Sequence, residues 1–163
     1  MSKRKLMIDC DPGQDDAVAV LMAQARAETM DLLAITTVCG NNTAAMCTRN
    51  ARILVTATRR PVCIAQGAVR PLLNEPMISE QFHGKTGMDG HHVEPDEMVV
   101  PDPRHAVEVL RDLLLASDDR VTIAALGPLT NLALLLRMWP EAAQKIEVIS
   151  LMGGGLTHGN ITD

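Results

Sequence analysis

Apolar and polar positions along this chain fall into two rhythms. Short apolar runs at Leu6–Ile8, Leu32–Val38, Val62–Ala65, Val121–Leu126 and Ile146–Met152 each predict a strand. Between them, apolar residues recur at helical spacing. Ala17, Val18, Val20, Leu21 and Ala25 predict a helix from Gln14 to about Arg26. Cys39-Gly40-Asn41-Asn42-Thr43 forms a turn able to cap the next helix, which carries Met46, Ile53, Leu54 and Ala57 and closes on Arg59-Arg60-Pro61. Asp102-Pro103 reads as an N-cap and first-turn proline, opening a helix through Ala106, Val107, Leu110, Leu113 and Leu114 to about Ala116. Gly127-Pro128 turns into a helix bearing Leu129, Leu132, Ala133, Leu135 and Leu136, stopped at Trp139-Pro140. Strands alternating with helices predict an α/β fold with an open, mostly parallel sheet.

The segment Gln66–Pro103 differs in kind. It holds Pro71, Pro76, Pro95, Pro101 and Pro103, several glycines and little periodicity. Connections this long inside a domain are functional or disordered. Within it, glycines flank His83 and Asp89, a pattern equally consistent with a shaped loop over a site and with a floppy polar excursion. The adjacent His91 and His92 have no further ligands at metal spacing and read as solvated.

In a parallel sheet, ligands sit beyond the carboxyl ends of the strands. Those ends here are Asp9–Asp16, Gly40-Asn41, Leu126-Gly127 and Met152–Asn160, so acids, amides and glycines gather at one rim. Asp9, Asp11, Asp15 and Asp16 crowd the turn after the first strand. Asp15 and Asp16 alone would suit the first turn of a helix, where acids complement the macrodipole. Two more acids at alternate positions of a strand end repel one another unless a cation lies among them, and oxygen ligands suit Ca²⁺ or Mg²⁺.

Composition narrows the partners. The 163 residues suit one domain, and 47% hydrophobic with 21% charged residues makes it globular. A net charge of −5 without a basic run excludes nucleic acid as the expected partner. No apolar stretch is long enough to span a bilayer, and the basic start Met-Ser-Lys-Arg-Lys leads into Asp-rich sequence, not a signal-peptide core. Cys10, Cys39, Cys47 and Cys63 lack paired metal spacing and read as buried thiols of a reducing cytoplasm.

Several phosphate and metal motifs fail. The run Gly153-Gly154-Gly155 has His158 where a dinucleotide fingerprint needs glycine, and no Gly-Lys-Ser/Thr follows it. Counted from Asp9, an EF-hand would need glycine at Gln14 and glutamate at Val20. Asp9-x-Asp11 at a strand end also suits a haloacid-dehalogenase-type phosphatase with Asp9 as nucleophile, but the continuation Pro12-Gly13-Gln14-Asp15-Asp16 is unlike that family.

Asp9-Cys10-Asp11-Pro12-Gly13-Gln14-Asp15-Asp16-Ala17 resembles the opening Asp-x-Asp-Pro-Gly-x-Asp-Asp-Ala signature of the nucleoside hydrolases, the inosine-uridine-preferring and ribonucleoside-hydrolase family. The resemblance continues in order through Ala34–Asn41, His83–Met88, Leu126–Asn131, and Leu151–Gly155 with Gly159-Asn160. It implies a Rossmann-like sheet with helices on both faces, and residues 1–163 as the N-terminal half of such an enzyme. The implied reaction is hydrolysis of a ribonucleoside to free base and ribose. By this resemblance Asp11 would bind Ca²⁺ and take a proton from metal-bound water; Asp16 and the Leu126 carbonyl would also bind Ca²⁺. Asp15 and Asn41 would hold ribose hydroxyls, Asn160 the sugar's far end, and Met152 would pack beside the ribose. His83 would lie at the nucleobase side, and Asp9 would support the metal loop from behind. The family's dimers and tetramers imply a homo-oligomer.

Members of that family run to about twice this length. Beyond the position of Asp163 they carry ribose-binding Glu and Asn, then a further Ca²⁺-binding Asp near a His that helps the base leave. The expectation for this polypeptide alone is therefore a truncated hydrolase. It would be weak or inactive, binding calcium or ribose or acting with other subunits, and would expose the last strand's apolar edge.

Overall fold

The computed structural model describes residues 3–89, 93–155 and 157. Five parallel strands form one sheet in the order β3-β2-β1-β4-β5. They are β1 (Arg4–Cys10), β2 (Met30–Thr37), β3 (Cys63–Gln66), β4 (Val121–Ala125) and β5 (Ile146–Leu151). The α/β class, the parallel sheet and the alternation of elements agree with the sequence pattern. The central strand β1 pairs with β2 on one side and β4 on the other.

Helices cover both faces, which is why β1 carries apolar residues on both sides of its buried end, with Asp9 the exception. Ile8 and Cys10 pack with Ala17 and Val20 of α1 (Gln14–Ala25) and Ala51, Leu54 and Val55 of α2 (Ala44–Thr58). Met7, one residue out of phase, packs on the opposite face with Leu110 and Leu114 of α4 (Ala106–Ala116) and Leu135 of α5 (Thr130–Met138). This period of two along β1 divides the core between the layers.

Local chemistry sets the helix ends. Thr43 Oγ1 accepts the Met46 N–H and caps α2. At its other end Arg59 adopts a left-handed conformation, φ 54°. The start of α4 corrects the sequence reading. Asp102 is not its N-cap: the Asp102 N–H donates to Ile64 O at 2.7 Å, and Asp102 bridges to Ala65 beside β3. The chain is still paired with the sheet there and cannot turn into a helix. His105 caps α4 instead, accepting the Val107 N–H, while Glu108 accepts the His105 N–H. A single turn, α3 (Glu80–His83), lies within the long proline-rich connection.

The chain adds β2 and β3 on one side of β1 and then returns to place β4 on the other. In a parallel sheet that reverses its order in this way, ligands sit beyond the carboxyl ends of the strands beside the reversal. At the far edge β5 is half open, with Val148 and Leu151 exposed. Among the described residues no helix is long and apolar enough to cross a membrane.

Replacing Leu110, fully buried between α4 and the sheet, with Ala is expected to cost about 2–5 kcal/mol in denaturant unfolding. Val148→Thr on exposed β5 should stay within about 0.5 kcal/mol of the parent.

Candidate functional site

The rim where β1, β2 and β4 end is built around a carboxylate. Asp11 follows β1 and is buried, with its side chain wedged between the loops after β2 and β4. A Cβ at either Gly40 or Gly127 would collide with that carboxylate, so both flanking loops require glycine for close approach. The Asn41 N–H donates to Asp11 Oδ2 at 2.7 Å. Asn41 Nδ2 donates to the Asp11 carbonyl at 3.0 Å and reaches Asp16 Oδ2 at 3.4 Å.

Asp16 sits in the first turn of α1, where the Gly13 N–H donates to its Oδ2 at 3.1 Å. Its other oxygen, Oδ1, is buried with no hydrogen-bond partner among the described residues. Asp9, the last acid on β1 itself, is wholly buried. Its Oδ1 accepts from Thr36 Oγ1 and from Asn131 Nδ2, and its Oδ2 is likewise without a partner among the described residues.

Three acids buried together hold their protons tightly. Burial, reinforced by the Asp16 charge, pushes Asp11 up to about 7, against the pull of the Asn41 N–H. Burial, reinforced by Asp15, raises Asp16 to about 6, with the Gly13 N–H opposing. Burial also raises Asp9 to about 6, although the Thr36 and Asn131 hydrogen bonds favour its charged form. A carboxyl near neutrality can exchange a proton with water at working pH.

The remaining candidates ring this centre unevenly. Asp15 is exposed on the first turn of α1. His83 ends α3, and its Nδ1 shares a 2.8 Å hydrogen bond with Gln14 Oε1. It lies so close over Gly13 that a Cβ there would come within 2.6 Å of His83 Nδ1. Leu126 follows β4 directly, and its N–H donates to Asp9 O at 2.8 Å. Met152 follows β5 and is 58% exposed, its N–H donating to Ala125 O. Asn160 lies outside the described residues, as do His91 and His92.

Of the two readings of the loop carrying His83, the structure supports the shaped one. Asn42 Nδ2 donates to Lys85 O at 3.1 Å. Asn50 Nδ2 donates to both Thr86 O and Pro12 O, tying the loop to the acidic turn. The Ser79 N–H donates to Asn41 O, anchoring α3 beside the site. Sequence reasoning passed over Gln14, Asn42, Asn50, Thr36 and Asn131 as individual contributors. The available signal was polarity out of place: Asn50 and Asn131 interrupt apolar faces of α2 and α5, and a buried amide there needs partners.

Cys10, Cys39 and Cys47 are buried as expected, whereas Cys63 is half-buried on the edge strand β3. Burial pushes the Cys47 thiol up to about 12 and raises Cys10, Cys39 and Cys63 as well, which disfavours the reactive thiolate.

Among the described residues no group of three or more His, Cys, Asp or Glu side chains is placed to hold a metal ion. The available oxygens are the two carboxylates of Asp11 and Asp16 and nearby carbonyls. These are hard donors, and the orphaned, buried Asp16 Oδ1 fits a cation better than an empty apolar wall.

The family model described as inosine-uridine preferring nucleoside hydrolase matches residues 6–163. The chain is 44% identical over 160 residues to the pyrimidine-specific ribonucleoside hydrolase RihA of Photobacterium profundum, covering 98% of this chain and 51% of that protein. It is 40% identical over 162 residues to the pyrimidine-specific ribonucleoside hydrolase RihB of Escherichia coli K12, covering 99% of this chain and 51% of that one. Among solved structures, the purine-preferring ribonucleoside hydrolase from Gardnerella vaginalis superposes with a TM-score of 0.87 at 30% identity, over 98% of this chain and 52% of that chain. The chain thus spans about half the length of the curated relatives it matches.

The raised carboxyl pKa values carry a sign. A carboxyl that binds its proton more tightly when folded gives stability below its ordinary value of 3.8, and that stability is lost as pH rises through about 6 to 7. In chelator, the melting temperature is therefore expected to fall between pH 5.5 and 7.5. Asp11→Asn, which removes the charge that Asp16 opposes, should flatten that slope when both proteins are followed by calorimetry.

Proposed function

This chain belongs to the inosine-uridine preferring nucleoside hydrolase family, and from that premise we propose that it carries the catalytic half-site for hydrolysing the N-glycosidic bond of a ribonucleoside to free base and ribose. The observation that supports this most is Asp11: a buried carboxylate clasped by two loops, with its proton affinity raised to about 7. We take it as the group that accepts a proton, at its carboxylate oxygen, from the attacking water. Asp16 and the Leu126 carbonyl join Asp11 as the set that would hold Ca²⁺, with Asp9 supporting the loop from behind. When bound, the ion supplies a water of lowered pKa and offsets the repulsion among the acids.

The other assignments follow from position. Asp15, exposed at the mouth, is suited to ribose hydroxyls. Asn41 shares that role and, through its amide, keeps Asp11 and Asp16 in register. Glycosidic cleavage passes through an oxocarbenium-like sugar, and carboxylates around the ribose favour its positive charge. Met152 would pack beside the ribose, and Asn160 would reach its far end. His83, held over Gly13 through Gln14, would flank the nucleobase and assist its departure.

We infer a pyrimidine ribonucleoside as substrate, because the relatives with 44% and 40% identity are named pyrimidine-specific, whereas the purine-preferring structure shares 30%. The free thiols, three of them buried, suit a reducing cytoplasm, and we infer that the protein works there as a homo-oligomer. A second reading is favoured by the small donor set among the described residues: the polypeptide binds calcium or ribose without turnover, its other ligands coming from elsewhere.

Ribose release from uridine, cytidine and inosine separates these readings. The hydrolase reading expects turnover that is faster with uridine and cytidine, abolished by chelator and lowered at least about a hundredfold by Asp11→Asn. Calcium binding by calorimetry without turnover above that mutant would leave the binding half-site. Neither turnover nor binding would overturn both.

A further inference from the structure

Asn131 is wholly buried in the first turn of α5, in a stretch that is otherwise leucine-rich. Its carboxamide reaches three different parts of the sheet. Nδ2 donates to Asp9 Oδ1 at 2.8 Å and to the Thr37 carbonyl at 3.1 Å. Oδ1 accepts the Ala68 N–H at 2.9 Å. The cradle is shaped for it: a Cβ at Gly67 would collide with the carboxamide. One side chain thus joins the ends of β1 and β2 and the strand exit after β3 to the helix that follows β4.

We propose that Asn131 is the positioning residue of the acidic site. Its amide fixes the Asp9 carboxylate and the carboxyl end of β1, and so sets where the next turn delivers Asp11. The chain of contacts is short. Asp9 precedes Asp11 by two residues, and the Asp9 carbonyl accepts the Leu126 N–H, so the same anchor locates the carbonyl proposed for the metal. The Thr37 carbonyl held by Asn131 also accepts the Gly67 N–H, and the β2 exit continues to Gly40 and Asn41, which clasp Asp11. An amide is the group this position requires. It offers two donors and an acceptor to a carboxylate, a carbonyl and an N–H that water does not reach. An aspartate in its place would lose both donors and oppose Asp9, and a leucine would leave the Ala68 N–H without its acceptor and take one donor each from Asp9 Oδ1 and the Thr37 carbonyl.

The test compares the full chain with Asn131→Asp, with Asn131→Asp combined with Asp9→Asn, and with Gly67→Ala. The double variant restores a donor–acceptor pair with reversed polarity. Gly67→Ala displaces the carboxamide without removing it and keeps the test open should Asn131→Asp fail to fold. The first readout is amide hydrogen exchange in chelator at Asn41 and Gly13, whose N–H groups donate to Asp11 and Asp16. Asn131→Asp and Gly67→Ala should speed those amides about tenfold relative to the amides of β4, and the double variant should recover part of the loss. Equal acceleration across the sheet, or none at Asn41 and Gly13, would make Asn131 an ordinary packing residue and overturn the proposal.

The second readout, calcium affinity by calorimetry, rests on the metal reading given above. Asn131→Asp should weaken it at least about tenfold, as removal of groups that orient metal ligands does. Asp16→Asn serves as the control that removes a ligand. Absence of calcium binding in the parent chain, with selective exchange at Asn41 and Gly13, would sink the metal reading and sustain Asn131. Normal calcium affinity in Asn131→Asp would sink Asn131 and sustain the metal.

Discussion

The molecule depends on a concentration of negative charge where water is scarce. Asp9, Asp11 and Asp16 are all buried at the end of the central strand, and two of their oxygens have no partner among the described residues. Burying one unpaired carboxylate is costly, and adjacent charges raise the cost further. The fold tolerates this through hydrogen bonds from Asn41, Gly13, Thr36 and Asn131, and through proton affinities shifted toward neutrality. Such a retained cost marks these carboxylates as the candidate site.

The sheet topology makes the arrangement possible. β1 is central, with β2 and β4 on either side, so the loops leaving all three strands meet around Asp11. Gly40 comes from one loop and Gly127 from the other, and the absence of both side chains lets backbone close on the carboxylate. The amides of Asn42 and Asn50 then bring the distant His83 loop over the same turn. Backbone carbonyls that would otherwise be exposed to solvent in a long connection are thereby satisfied inside the protein. The chain belongs to the nucleoside hydrolase family and spans about half the length of the relatives it matches.

The strand runs, the helix periods and the acidic turn were legible without coordinates, because each depends on residues close in sequence. Apolar spacing reports which face is buried, and the Pro-Gly turn after β1 reports where the strand stops. The order of elements therefore predicted the parallel sheet and the rim at which Asp9, Asp11, Asp15 and Asp16 collect. Local logic failed where a distant strand competed: Asp102 and Pro103 have the residues of a helix start, yet Asp102 stays paired beside β3 and His105 takes the cap.

What only the tertiary structure decided is which polar groups meet. Asn131 lies 122 residues from Asp9 and His83 lies 69 residues from Gln14, and no periodicity encodes those contacts. The proton affinities of Asp11 and Asp16 belong to the same class, since burial supplies the largest part of each shift and burial exists only once the layers pack. The sequence by itself determined the elements and the chemistry available at their ends. Packing decided that two glycines would clasp Asp11 and that one amide would anchor the strand behind it, because desolvation and hydrogen-bond geometry are properties of neighbours in space.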